Sequence, residues 1–308
     1  MDNKITINSY NMASPKVLVD HQIAFISDIH SDDVQFERIL KILRLLSIKT
    51  IIIGGDLVDS LRDKNRCKKI LKLLEENSNY FTIYVSIGNH DMVFYRNYLY
   101  QLNNSASPNT FDFWKNISSI DNVNVSDIPL KDPTVNKWTL SDDIDITALN
   151  MPISYYKDKE PYSEYKEIIK TLETINLDKK KFNILLSHSP KHIIQNGEID
   201  EYLRQKRFNL ILSGHVHGGL VPIQFRIKQH GGGFVGPYST KLPEHAYGTV
   251  KNGGVVSLTS AGVIKIAHEK GREKFKGVID NIYPSEIEII NLSHKDRTSF
   301  QRVKSKKI

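Results

Sequence analysis

The feature that most constrains the fold of this chain is a short apolar run that stops abruptly at a polar turn, and it occurs five times. The runs are QIAFIS at 22–27, TIIIGG at 50–55, YFTIYVSIG at 80–88, FNILLS at 182–187 and FNLILSG at 208–214. Runs of this length and composition predict strands that are buried on both faces. Chains with such strands fold as α/β proteins when helices lie between them.

Amphipathic segments separate these strands. Residues 36–48 (FERILKILRLLSI) carry apolar side chains at helical spacing, and we expect further helices at 66–76 and 163–174. The runs DITALN (145–150), GGVVSLTSAG (253–262) and EIEIINL (286–292) predict additional strands. In open α/β sheets, ligands bind outside the carboxyl ends of the strands, so the polar turns predict a site.

Two regions do not fit the strand and helix pattern. Residues 103–143 are rich in Asn, Ser and Asp and show little periodicity, so we expect an irregular excursion that could act as a lid. The end of the chain, with Arg302, Lys304, Lys306 and Lys307, predicts a basic, solvated C-terminal tail. No segment has the composition of a linker, so we expect residues 1–308 to form a single domain.

Composition excludes several classes of protein. Of the 308 residues, 40% are hydrophobic and 25% charged, the balance of an ordinary globular chain. No apolar run is long enough for a transmembrane helix, and the first residues lack the layout of a secretion signal, so we expect a cytoplasmic protein. The single cysteine, Cys67, fits a reducing compartment. The formal charge of +7 favours an anionic partner: a phosphorylated ligand, nucleic acid or an acidic membrane surface contacted peripherally.

The polar turns carry residues suited to binding divalent metal ions. They contain Asp28-x-His30, Gly55-Asp56, Gly88-Asn89-His90-Asp91, His188 and Gly214-His215-x-His217. Each turn alone is a weak signal, but all five follow buried strands. Two nearby cations need a bridging carboxylate with imidazole and carbonyl donors, which leaves positive charge available to a phosphate. The D-x-H and H-x-H spacing would direct both side chains the same way in an extended segment.

In this order, the motifs DIH, GDLVD, GNHD, SHSP and GHVH resemble the signature of the calcineurin-like metallophosphoesterases over residues 23–292. The resemblance implies a four-layer αββα sandwich with mixed sheets. It also implies two divalent ions (Mn²⁺, Fe²⁺, Zn²⁺ or Ni²⁺) and hydrolysis of a phosphoester by a hydroxide shared between them. One ion would be held by Asp28, His30 and His217 and the other by Asn89, His188 and His215, with Asp56 between them.

Two further residues receive catalytic roles from the same resemblance. His90 would stabilise or protonate the departing oxygen, and Asp59 would orient His90. Asp59 also stands where purple acid phosphatases have a tyrosine, which makes a ferric-tyrosinate site unexpected. A helix cap is the alternative role for Asp59.

The second half of the chain resembles a bacterial branch of small phosphodiesterases, some of which act on lipids. GHVHGG and SAG carry this likeness, although Leu220 replaces the usual glutamine. We therefore expect a phosphodiester of a small molecule or lipid as substrate. A nuclease of the same superfamily and a non-catalytic scaffold with the same fold remain alternatives. The segment GGGFVG at 231–236 predicts a flexible loop on the substrate side rather than a dinucleotide site.

Overall fold

The fold places two mixed seven-stranded sheets face to face. The structure is a computed structural model, and it describes residues 4–59, 64–104, 112–157, 162–191, 193–195, 198–206, 208–226, 230–234, 237, 243, 245–264 and 282–307. Within these residues the strands are β1 Ile5–Ser14, β2 His21–Ile26, β3 Thr50–Ile53, β4 Thr82–Val85, β5 Val123–Val125, β6 Thr134–Ser141, β7 Ile144–Asn150, β8 Phe182–Ser187, β9 Ile194–Gln195, β10 Glu198–Ile199, β11 Leu210–Ser213, β12 His230–Gly231, β13 Tyr247–Asn252, β14 Val255–Thr259, β15 Ser285–His294 and β16 Ser299–Lys307.

Helices occupy much of the sequence between the strands. They are α1 Asp33–Leu45, α2 Lys64–Asn77, α3 Asn89–Asn104, α4 Phe113–Ile117, α5 Ile153–Lys157, α6 Tyr162–Glu173 and α7 Glu201–Lys206. Two 3₁₀ turns follow β11, at His217–Leu220 and Ile223–Phe225. Helix α1 begins before the predicted Phe36 because the Asp32 carboxylate caps it, accepting a hydrogen bond from the Gln35 backbone N–H at 3.0 Å.

The first sheet has the strand order β16-β1-β15-β2-β3-β4-β5 and the second has β12-β13-β14-β11-β8-β7-β6. In the first sheet β2, β3, β4 and β5 are parallel, whereas β15 runs antiparallel to β2. In the second, β7, β8, β11 and β14 are parallel, with antiparallel strands on both sides. The parallel strands of each sheet therefore present their carboxyl ends together.

Alternation along the strands builds the four layers. In β2, Ile23 and Phe25 belong to the apolar core between the sheets, which also contains Ile146 and Leu186 of the second sheet. The intervening Ala24 and other outward residues belong to a second core that includes the apolar faces of α1, α2, α6 and α7. The predicted αββα sandwich with mixed sheets is confirmed, and the predicted helices at 66–76 and 163–174 correspond to α2 and α6.

The prediction of an irregular excursion at 103–143 is wrong for most of this region. It contains α4, β5 and β6, while residues 105–111 lie outside the described part of the chain. Phe113, Trp114 and Ile117 form an apolar helical face that is buried in the core, so the polar composition around them concealed a packed element. Strand β6 is an edge strand paired with β7, which accounts for its weak alternation.

The basic C-terminal segment is largely exposed, as expected, but it is not a tail. It forms the edge strand β16, which pairs antiparallel with β1, a strand that the sequence did not indicate. Arg302 donates a hydrogen bond to the Asn8 side chain at 3.0 Å and lies over the Tyr10 ring. Lysines on an exposed edge strand oppose pairing with other chains, so the charge pattern fits an edge strand as well as a tail.

Candidate metal centre

The polar turns that follow the strands meet at one place between the sheets. The turn after β2 is hydrogen-bonded to the turn after β3, with Asp28 N–H donating to Gly55 O at 3.0 Å and His30 N–H donating to Asp56 O at 2.9 Å. The backbone N–H of His215, after β11, donates to both Asp28 carboxylate oxygens at 3.1 and 3.2 Å. One carboxylate therefore joins the turns of the two sheets.

Three overlapping groups of side chains have the geometry of metal ligands, each with its ligand atoms within 4.8 Å of one another. They are Asp28, His30 and His217; His30, Asp56 and His90; and Asp56, His188 and His215. Asp28, His30 and His217 lie on one side and His188 and His215 on the other, and their division between two ions stays a prediction. Asp56 belongs to groups on both sides, as a bridging carboxylate would.

Several of these atoms are buried without satisfying their hydrogen-bonding capacity. Within the described residues, His30 Nε2, His188 Nε2 and Asp56 Oδ2 make no hydrogen bond, although His188 Nε2 lies 3.2 Å from Asp56 Oδ2. Buried polar atoms are rarely left in this state, since the cost is about 1–3 kcal/mol each. Atoms that converge in this way are suited to a shared cation, so the donor set fits divalent metal binding.

Backbone carbonyls fix the orientation of two imidazoles. His188 Nδ1 lies 2.7 Å from Gly54 O, and His217 Nδ1 lies 2.6 Å from Ile264 O. Because a carbonyl oxygen only accepts hydrogen bonds, Nδ1 must carry the proton in each ring. Nε2 is then the ligating atom, and it faces the carboxylates. Metal-binding histidines typically donate their other ring N–H to a carbonyl or carboxylate in this way.

The backbone at the site is not extended, contrary to the expectation from the motif spacing. Asp28 (φ 58°), His30 (φ 49°), His215 (φ 69°) and His217 (φ 49°) all lie in the left-handed region, as does Asp56 (φ 54°). Asp28 and His30 share one group of candidate ligands, whereas His215 and His217 belong to different groups of the same cluster. Left-handed turns, and not strand alternation, direct these side chains.

Asn89 and His90 open helix α3 beside the cluster. The His90 backbone N–H donates to Asp56 Oδ1 at 2.8 Å, which fixes the start of the helix against the Asp56 carboxylate. Asn89 is buried. The role of the Asn89 amide as a ligand stays a prediction.

His90 and Asp59 lie together, and Asp59 contacts a second imidazole as well. Asp59 Oδ2 is 3.2 Å from His90 Nδ1 and 3.3 Å from His30 Nδ1. The His90 side chain is 29% exposed, whereas His30 and His188 are fully buried, so His90 is the more accessible group. Burial lowers the pKa of His90, but attraction to Asp56 and the interaction with Asp59 prevail and raise it to about 9. A protonated imidazole at the mouth of the site can donate to a leaving group.

The remaining imidazoles differ in protonation. Burial lowers the pKa of His217 to about 4 and, together with repulsion from His188, lowers the pKa of His215 well below its usual value. For His188, attraction to Asp56 and Asp28 outweighs burial and raises the pKa to about 9. Burial would raise the pKa values of the Asp28 and Asp56 carboxyls, but the surrounding imidazoles lower them. The ion-free cluster therefore contains the ionised carboxylates of Asp28 and Asp56 beside protonated His188 and His90.

Asp91, the last residue of GNHD, holds the turn that carries Asp56, a role that the sequence did not reveal. Its Oδ2 accepts hydrogen bonds from the Asp56 N–H at 2.8 Å and the Gly88 N–H at 2.9 Å, while Oδ1 accepts from the Val58 N–H at 2.9 Å. Burial and the Asp56 carboxylate raise the pKa of Asp91 to about 7, against the effect of these donors. The signal was present in the motif, where an acidic residue follows the histidine.

Tyr156 on α5 is a second residue that the motifs did not identify. Its ring centroid lies 5.0 Å from that of His215 in an edge contact and 6.0 Å from that of His188. The aromatic ring thus covers the His188 and His215 side of the cluster. Nothing in the local sequence distinguishes Tyr156 from the buried Tyr155 that precedes it.

The segment after His217 forms one border of the site. Gly218 and Gly219 both have positive φ, and the Phe234 backbone N–H donates to Gly219 O at 2.7 Å. The described part of the predicted loop at 231–236, residues 231–234, therefore lies beside the turn that carries His217.

Among the described residues, no helix has the length and apolar character needed to cross a bilayer.

Comparisons of the sequence with known proteins match it to phosphoesterases. The sequence profile of the calcineurin-like phosphoesterases matches residues 21–219. A Caenorhabditis elegans protein named "Putative metallophosphoesterase" is 32% identical over 209 residues, which are 64% of this chain and 36% of that protein. An uncharacterized metallophosphoesterase of Campylobacter jejuni is 27% identical over 237 residues, 75% of this chain and 54% of that protein. The matched part thus spans about half or less of these relatives.

Among solved structures, a dimetal phosphatase from Danio rerio has a TM-score of 0.48 at 10% identity, covering 94% of this chain and 98% of that one. A Thermus thermophilus protein has a TM-score of 0.42 at 13% identity, covering 80% and 92%. The profile match extends over more than half of the chain and contains every proposed ligand from Asp28 to His217. The chain belongs to the calcineurin-like phosphoesterase family.

Proposed function

We propose that this protein is a phosphoester hydrolase whose active site binds two divalent cations. Asp28, His30 and His217 would hold one and Asn89, His188 and His215 the other, with Asp56 bridging them. The observation that carries the proposal is the convergence of buried atoms without hydrogen bonds: His30 Nε2, His188 Nε2 and Asp56 Oδ2. When bound, the cations supply positive charge to phosphoryl oxygens and lower the pKa of water, which provides a nucleophile near neutral pH.

Backbone strain supports a functional role for the cluster. Five of the proposed ligands, Asp28, His30, Asp56, His215 and His217, have positive φ. Such conformations cost of order 1–3 kcal/mol each at non-glycine residues, and they persist where the surrounding structure holds them, often at functional sites. A scaffold that had lost its chemistry would have no need to maintain five of them.

The protein's own residues would complete the reaction by managing a proton. His90 is partly exposed and protonated at neutral pH in the ion-free state, so it can donate to the departing oxygen. Asp59 holds His90 through Nδ1, which leaves Nε2 as the donating atom. This assignment accounts for an imidazole that lies next to the ligands but is more exposed than most of them.

The proposed substrate is a phosphodiester of a small molecule or lipid. Two exposed phenylalanines lie near the His217 turn. Phe225, which is 63% exposed, follows the turn in the sequence, and Phe234, which is 58% exposed, donates its backbone N–H to Gly219 O in the turn. They offer an apolar surface for a substituent on the phosphate. Comparing bis(p-nitrophenyl) phosphate with p-nitrophenyl phosphate tests the preference, since faster turnover of the monoester would contradict it. The double variant Phe225→Ser, Phe234→Ser should lose more activity on an acylated diester than on a methyl diester.

The function of the centre is tested by metal content. Elemental analysis of the purified chain should find about two divalent ions, with Mn²⁺, Fe²⁺, Zn²⁺ and Ni²⁺ all suited to mixed nitrogen and oxygen ligands. A folded chain that binds no metal near neutral pH would favour the scaffold alternative. Hydrolysis of single-stranded DNA in preference to small diesters would favour the nuclease alternative. A cytoplasmic location and peripheral membrane contact stay predictions.

A further inference from the structure

A buried arginine outside the proposed ligand set lies directly beneath the His217 turn. Arg226 is 7% exposed by its side chain, and its guanidinium lies over the Tyr247 ring at 4.7 Å. Its Nε donates to Val221 O at 3.1 Å, at the end of the turn. Its Nη2 lies against Gly218, so closely that a Cβ atom built on that glycine would be 2.1 Å from it.

The charge of Arg226 is balanced by a buried glutamate. Arg226 Nη1 lies 2.6 Å from Glu286 Oε1, and Glu286 is on β15, next to the strand that leads to Asp28. The Asn8 side chain donates to the other oxygen of Glu286 at 3.1 Å. The carboxylate is thus fixed on both sides, and it in turn fixes the guanidinium.

The same glutamate is connected to the other side of His217 through the backbone. The Glu286 N–H donates to Gly262 O at 3.1 Å, and two residues later the Ile264 N–H donates to Asp28 O at 2.9 Å. Ile264 O then accepts the hydrogen bond from His217 Nδ1 at 2.6 Å. Arg226, Glu286, the 262–264 segment and His217 therefore form a closed circuit around one ligand position.

Stability alone is a poor explanation for this ion pair. Burying a charged pair is costly, and replacement by apolar residues of similar volume is often neutral or stabilising. Within the described residues Arg226 Nη2 also makes no hydrogen bond, so the guanidinium is not even fully satisfied. What the planar guanidinium supplies is geometry, because it holds Val221 O and Glu286 at the same time, which a lysine ammonium does less rigidly.

We propose that Arg226, paired with Glu286, is a positioning residue that fixes the His217 turn and so sets the affinity and geometry of the metal position formed by Asp28, His30 and His217. The inference rests on the proposed metal centre. It adds a residue that none of the family motifs contains. Loss of an outer partner of a ligating histidine typically weakens metal binding by roughly 10- to 100-fold.

The test is titration of metal-stripped protein with Co²⁺, followed by visible absorption, for the wild type and the variants Arg226→Met, Arg226→Lys and Glu286→Gln. His217→Ala serves as a reference that identifies which of the two binding events belongs to the His217 position. Lys181→Met is the matched control, because it also removes a cation from a buried carboxylate, Asp145, at 3.1 Å. Thermal unfolding of each metal-free variant separates loss of fold from loss of binding.

We expect Arg226→Met to weaken the event that His217→Ala also weakens by roughly 10- to 100-fold, and to alter its absorption spectrum, with the other event unchanged. Arg226→Lys should restore part of the affinity, and Lys181→Met should bind as the wild type does. Wild-type affinities and spectra in both Arg226→Met and Glu286→Gln would overturn the inference alone. If Arg226→Met does not fold, Glu286→Gln decides by the same criterion. A wild-type chain that takes up no Co²⁺ would overturn the proposed function and, with it, the inference.

Discussion

Lowering the pH from 9 to 6 should weaken metal binding in a way that can be traced to His188. In the ion-free cluster the His188 pKa is about 9, since attraction to Asp56 and Asp28 outweighs the effect of burial. The Nδ1 proton is committed to Gly54 O at 2.7 Å, so the proton that titrates is on Nε2, the atom proposed to bind metal. Cation and proton therefore compete for one nitrogen.

The size of the effect follows from that pKa. At pH 7, two units below about 9, roughly one His188 in a hundred is neutral, which costs roughly 3 kcal/mol of apparent binding energy. His217, with a pKa of about 4, is already neutral at pH 7 and adds nothing to the competition. Affinity at the His188 position should therefore rise about tenfold per pH unit up to about pH 9 and then level off. In the metal-free fold the same proton is stabilising below about pH 6.5, and this contribution is lost as the pH rises through about 9.

The assay is calorimetric titration of metal-stripped protein with Mn²⁺ in two buffers of different ionisation enthalpy. At pH 7 the binding at the His188 position should release about one proton. Because the pKa of His90 is also about 9, the measurement is repeated on His90→Gln, which should still release the His188 proton. Equal affinities at pH 7 and pH 9, with no proton released by His90→Gln, would show that His188 does not carry its proton on the ligating atom.

Four substitutions test the other assignments. Asp56→Asn should lower occupancy of both metal positions together, whereas loss of a single ion in elemental analysis would argue against a bridge. His90→Ala should keep both ions and lose roughly 10²- to 10⁴-fold on an alkyl diester but much less on a nitrophenyl diester, and equal losses would show that His90 is not the acid. Asp59→Asn should reproduce a weaker form of that pattern, with some loss of metal affinity because Asp59 also contacts His30 at 3.3 Å. Asp91→Ala should lower the free energy of unfolding by roughly 3 kcal/mol and weaken both ions, whereas Asp143→Ala, another buried carboxylate that accepts backbone N–H groups, should lower stability alone.

The strands and helices that flank the site were predictable because their signals are local. Apolar runs such as 50–55 are buried on both faces, and the periodic segment at 36–48 lies within or next to α1. Strand β1 was not predictable in the same way. Its residues Asn8 and Asn11 interrupt the apolar pattern, and Asn8 is tolerated in the interior because it bonds to Glu286 and Glu288, which are remote in sequence.

The candidate site divides along the same line. The motifs specify individual residues, so most of the candidate ligands could be named from the sequence. The groups with metal-ligand geometry contain Asp28, His30, Asp56, His188, His215 and His217. The residues that orient these ligands were not predicted. Arg226 and Tyr156 reach the site by tertiary packing, so their sequence surroundings carry no periodic or motif signal. Spacing in a single chain identifies the groups that bind, while the groups that position them depend on contacts between distant segments.

The left-handed ligand residues explain why the motif spacing works at all. In an extended D-x-H segment the middle residue would point opposite to both ligands, and in this fold it still does: Ile29 is fully buried in the helix-covered core, and Val216 is buried in a separate apolar cluster. The buried middle residue anchors each turn, and the residues on either side, which carry the ligands, adopt the left-handed conformation. A polar residue in place of Ile29 or Val216 would therefore weaken the packing that sustains the left-handed backbone, and the ligands on either side would move apart although no ligand was changed.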